Sequence, residues 1–105
     1  MKKSYCNYIY KLEENDTRRL SRITQMEHYF DVLTTAFQMD PLRIQEDAEL
    51  HEMLLQLIRY YESGLWRSDY ECDERGELPS DLKRGVLSED AIYNFLADLQ
   101  QDGIL

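Results

Sequence analysis

Six acidic residues, Asp69, Glu71, Asp73, Glu74, Glu77 and Asp81, crowd one short stretch of the chain. Alternating carboxylates are the donors that hard cations prefer; calcium takes about six to eight oxygens, often from a D-x-D-x-D-G loop. If Asp69 opens such a loop, its turn glycine falls on Glu74 and its closing acid on Ser80. Both positions fail. A looser metal site of Asp69, Glu71 and Asp73 is the alternative. It is outweighed by a solvated acidic loop whose carboxylates pair with Arg67, Arg75, Lys83 and Arg84, because loop carboxylates are mostly exposed or paired.

Other chemistry fails on spacing. His51-Glu52 begins like a helical zinc-protease motif, but the second histidine falls on Leu55. His28 and His51 alone make a poor metal pair. Ser63, Ser68, Ser80 and Ser88 lack a nucleophile elbow. Cys72 lies among carboxylates, which disfavour a thiolate. No glycine-rich phosphate loop is present, and no cofactor is expected. The balance favours a protein that is not an enzyme.

The aromatic set is more informative. Tyr60, Tyr61, Trp66, Tyr70 and Tyr93 surround the acidic stretch. Trp and Tyr join large apolar area to a polar handle and concentrate at binding hot spots. A tertiary role outweighs recognition for Trp66 and Tyr70, since they can plug a helical hairpin and bury an irregular segment. A long irregular segment is also a common place for function. The candidate binding surface is therefore Tyr61, Trp66, Asp69, Tyr70, Glu71, Asp73, Lys83 and Arg84.

These residues need elements to hold them. Leu20, Ile23, Met26, Phe30, Leu33 and Phe37 recur at steps of three and four, one stripe of a helix starting near Asp16 or Thr17. Asp40-Pro41 ends it and opens a second helix that runs to about Glu62. In that helix Leu50, Leu54, Leu57 and Tyr61 form one stripe. Ile44, Ala48, Leu55 and Ile58 form its neighbour. Gly64 can take a left-handed conformation, with Leu65 packing back on Tyr60. Residues 65–80 show no period. Ser80 to Gly85 reads as one helical turn. Ser88 caps a last helix whose stripe is Ile92, Phe95, Leu96 and Leu99, expected near Leu57, Ile58 and Tyr61, and Gly103 stops it. Residues 1–15, with Tyr5, Tyr8 and Tyr10, read as an N-terminal extension. Residues 16–105 read as a single all-α domain: an antiparallel helical hairpin, an ordered irregular acidic segment and a C-terminal helix.

The run from Tyr60 to Tyr93 carries a resemblance. Its pattern YYxSGxWxxDYExDExGxLPxDLKRGVLSEDxxY resembles a bacterial domain-of-unknown-function family of small, mainly helical proteins. The resemblance spans roughly Arg22 to Leu99 and includes Met26-Glu27-His28-Tyr29-Phe30. It implies an all-helical bacterial protein of the cytoplasm. It brings no catalytic residue, cofactor or substrate, and Cys72 sits where the pattern is open.

Charge sets the partner class. The 105 residues hold 12 basic and 21 acidic side chains, a net of −9. Such a balance opposes a phosphate backbone or an anionic membrane. No run is long and apolar enough to span a bilayer, and Lys2-Lys3 is not followed by an apolar signal core. Cys6 and Cys72 are too far apart in sequence to suggest a disulfide framework, which suits a reducing cytoplasm. Residues 1–62 carry 8 basic and 11 acidic residues; residues 63–105 carry 4 and 10. The expected function is a protein-interaction or regulatory module whose partner has a basic surface or is a second copy. The alternatives are a metal-binding protein or metal-dependent hydrolase on the acidic segment, and a homo-oligomeric structural module.

Overall fold

A computed structural model describes the backbone from Lys2 onward and the side chains of residues 17–105. All described regular elements are helical: α1 (Lys2–Met39), α2 (Leu42–Glu46), α3 (Ala48–Glu62), α4 (Leu65–Glu74) and α5 (Ala91–Gln101), with a 3-10 turn at Gly85–Leu87 before α5. The fold is all-α. The backbone of residues 2–15, read from the sequence as an N-terminal extension, is part of α1, and their side chains lie outside the described residues.

The expected stripe of α1 faces the core. Ile23, Met26 and Leu33 are buried, and Phe30 and Phe37 pack against them half-buried. Leu20 departs from the stripe and lines a surface groove. Asp16 and Thr17 do not start this helix, because α1 continues through them.

The second helix is broken in two. Asp47 adopts an extended backbone (φ −85°, ψ 121°), and its carboxylate accepts the N–H groups of Glu49 and Leu50. This is an ordinary N-cap, which satisfies first-turn donors that have no helical partner. It stands at Asp47 rather than at the expected Asp40. Leu50, Leu54, Leu57 and Tyr60 are buried along α3. The deepest tyrosine is thus Tyr60, one position from the expected Tyr61.

The end of α1 lies beside the start of α3 in a groove lined by Ala36, Met39, Leu50 and Met53. Arg22, farther up α1, lies beside Tyr60 near the end of α3. The two helices therefore run antiparallel. Gly64, at φ +89°, takes the left-handed conformation that L-residues disfavour and turns the chain from α3 into α4. Leu65 opens α4, is 45% exposed and lines a groove together with Tyr60.

The stretch read as irregular is largely α4. Its inward face is Trp66, Asp69 and Cys72, with Tyr70 and Asp73 half-buried beside them. The spacing is helical, but two of the inner positions are Asp, so an apolar period is invisible. After α4, the expected helical turn at Ser80–Gly85 is only a hydrogen-bonded turn at residues 80–81 followed by a bend at 82, and the 3-10 turn begins at Gly85. Likewise Ser88 does not cap α5. Its carbonyl accepts the Ala91 N–H, and the cap position belongs to Asp90. Ile92, Phe95 and Leu99 bury α5 in the same cluster as Leu57, Ile58 and Tyr61. Phe95 also sets its edge against Phe30 and Phe37 of α1, with ring centres 5.6 and 5.9 Å apart.

Candidate functional site

Three sets of hydrogen bonds hold α4 and the segment that follows it in place. Asp69 is fully buried and points at α1. It accepts from Arg19 Nε at 3.0 Å, from Arg22 Nε and Nη2 at 2.9 and 2.6 Å, and from the Tyr60 hydroxyl at 2.7 Å. The Arg19 guanidinium also donates to Ser68 Oγ. Burial, followed by the neighbouring Asp69 carboxylate, pushes the Tyr60 phenol well above its ordinary value. The same carboxylate raises Arg22. A buried charge is tolerated when it is paired and hydrogen-bonded, and every oxygen of Asp69 is engaged.

The second tie is the backbone of Val86. Its N–H donates to Glu27 Oε1 at 2.7 Å, and its carbonyl accepts the Trp66 indole N–H at 2.9 Å. Both backbone groups of a buried residue are thus satisfied by side chains from α1 and α4. The third is Arg84, which donates to Asp73 Oδ1 and to the carbonyls of Pro79 and Leu82, closing residues 73–84 on themselves.

The eight residues proposed as one surface therefore separate. Asp69 is internal. Asp73 and Arg84 are bound to each other. Glu71 is exposed on α4, and Lys83 lines a different groove with Asp31 and Asp81. Asp69, Glu71 and Asp73 do not converge, and among the described residues no three His, Cys, Asp or Glu side chains are placed to hold a metal ion. Asp69 is spent on two arginines, which overturns its role as an exposed ligand. His28 and His51 are both exposed on separate helices.

Tyr61, Trp66 and Tyr70 do come together. Trp66 stacks on Tyr70 with centres 5.1 Å apart at 14°, and Tyr61 meets Trp66 edge-on at 5.2 Å. They line a cleft of about 340 Å³ with Arg67, Glu89, Asp90 and Tyr93. Tyr93 stands 62% exposed on α5. Burial, followed by the carboxylates of Glu74 and Glu89, pushes the Tyr70 phenol up. The cleft can stack flat groups, accept hydrogen bonds and attract cations. Cys72 is buried beneath α4, and its thiol is pushed up by burial, so it is not an activated nucleophile.

Arg19, Arg22 and Glu27 are the residues that sequence reasoning missed as partners. A signal existed: all three flank the apolar stripe Ile23–Met26–Phe30, where a charge needs a buried partner. The partners lie 47 to 59 positions away, so spacing could not name them.

Fold and site define a small all-α protein whose two buried carboxylates, Asp69 and Glu27, are bonded across elements. The chain belongs to the family described as Domain of unknown function (DUF4298), which matches residues 23–103. No curated protein and no solved structure matches the chain. Among the described residues, no helix is long and apolar enough to cross a membrane.

Proposed function

We propose that the protein is a non-catalytic recognition module of the cytoplasm and that its contact face is the cleft of Tyr61, Trp66, Tyr70 and Tyr93. One observation carries this reading: the ordered stack Tyr61–Trp66–Tyr70 opens beside an exposed Tyr93. Rings already fixed in place lose little entropy on binding and supply large contact area. Glu89 and Asp90 border the cleft, so the fitting partner is a protein that presents basic residues.

The test is affinity capture from cells that express the protein, with wild type and the double variant Tyr93→Ala, Glu89→Lys. Both substitutions are on exposed positions and should leave the melting temperature unchanged. Loss of a wild-type partner from the folded variant supports the reading. Retention of every partner overturns it.

Self-association has one observation of its own. Met39 and Leu42, 79% and 55% exposed, stand at the hairpin turn. Light scattering of wild type and of Met39→Glu distinguishes a second copy from a different partner.

A further inference from the structure

Glu27 is a carboxylate that the fold leaves half-engaged. It is 9% exposed, and only Oε1 is used, by the Val86 N–H. Among the described residues Oε2 accepts no hydrogen bond, and no cation lies within ion-pair distance. The nearby arginines are committed elsewhere: Arg19 and Arg22 to Asp69, Arg84 to Asp73. Among those residues no fully buried side-chain polar atom lacks a partner, so Oε2 must reach open space.

Glu27 lines a groove of about 450 Å³ between α1 and the Pro79–Lys83 turn. Leu20, Pro79 and Leu82 line it with apolar surface. Asp31 and Asp81 add two carboxylates against one ammonium, Lys83. Gly85 leaves room for the Glu27 carboxylate: a Cβ there would stand 3.2 Å from Oε2. A nearly buried anion without a counter-charge is costly, and a cation delivered through the groove removes that cost.

We propose that this groove binds an aliphatic primary amine, with the ammonium on Glu27 Oε2 and the methylenes along Leu20 and Leu82. The chemistry selects among cations. A hard metal ion needs more oxygens than converge here. A guanidinium fork is matched to both oxygens of one carboxylate, and Val86 holds one of them. An ammonium is a compact charge that needs a single strong acceptor, and its alkyl stem packs on apolar surface. A lysine side chain of a partner and a free diamine share this chemistry.

The test is an NMR titration with n-butylamine, 1,4-diaminobutane and Nα-acetyl-lysine amide, with n-butanol as the uncharged control. The amines should produce saturable shifts of the Leu20 and Leu82 methyls, and butanol should not. Tighter binding of acetyl-lysine amide identifies a protein lysine as the source; tighter binding of 1,4-diaminobutane identifies a free diamine. Glu27→Gln keeps an amide oxygen for the Val86 N–H and should weaken the amines about tenfold or more. The exposed pair Asp31→Asn, Asp81→Asn should weaken them severalfold in a protein that folds normally, which decides the matter if Glu27→Gln is unstable. Absent shifts, equal shifts with butanol, or unchanged affinity in the folded variants overturn the proposal.

Discussion

Replacing Asp69 with Asn should nearly unmake the domain without changing its shape. The side chain is fully buried and accepts four hydrogen bonds, three from guanidinium groups and one from Tyr60. Asn offers one acceptor oxygen and turns an NH₂ toward donors. Removing one partner of a buried ion pair costs about 3–5 kcal/mol. Arg19 and Arg22 retain 17% and 23% exposure, so water recovers part of their loss. The expected destabilisation is therefore about 2–4 kcal/mol. That is a large fraction of the ~5–15 kcal/mol that holds an ordinary domain together. With a urea slope of about 1–2 kcal/mol per molar, the midpoint falls by about 1–4 M. Trp66 is the only tryptophan, so its fluorescence reports the transition, with far-UV circular dichroism as the second probe. Glu71→Gln, on the exposed side of the same helix, is the control and should move stability by no more than about 0.5 kcal/mol. If Asp69→Asn shifts the midpoint no more than Glu71→Gln does, Asp69 is not the hub described above.

Other outcomes follow from the same contacts. Trp66→Phe leaves the buried Val86 carbonyl without its donor and should cost about 1–3 kcal/mol in a urea melt. The Tyr60 phenol titrates higher in the folded chain than its unfolded value of about 10. Its stabilising contribution is thus full below about pH 10 and lost as pH rises beyond it; thermal melts from pH 8 to 11 should show the decline, and Tyr60→Phe should flatten it. Cys72 is buried with its thiol pushed up, so in a Cys6→Ser background a thiol reagent should label it at the rate of unfolding and fast only in urea. Gly64→Ala forces a side chain into φ +89° and should cost about 1–2 kcal/mol by the same melt.

How much of this was legible follows from where the partners lie. The stripes of α1, α3 and α5 are local patterns, and Ile23, Leu33, Leu54, Leu57, Ile92 and Leu99 all reach the core. Helix α4 was hidden because Asp69 takes a buried position and Asp73 a half-buried one in place of apolar residues. A carboxylate at a core position looks like a loop residue until Arg19 and Arg22 are seen beside it. The break at Asp47 was missed for a related reason: a capping Asp inside a continuous apolar period leaves that period intact. Of the candidate surface, the cluster Tyr61–Trp66–Tyr70 was legible by residue type, and it does assemble. Tyr93 closes the cleft only through the packing of α5, and Glu27 opens its groove only through the distant Gly85–Leu87 turn. No short-range pattern encodes either contact.

The aromatic cleft is the surface we propose a partner touches. The most direct measurement is photo-crosslinking in cells that express the protein, with a photoreactive amino acid replacing Tyr93 and, as control, replacing the exposed His51 of α3. Position 93 should trap a discrete partner rich in basic residues, and position 51 should trap none. Equal crosslinking at both positions, or none at 93 in the folded protein, would contradict the account.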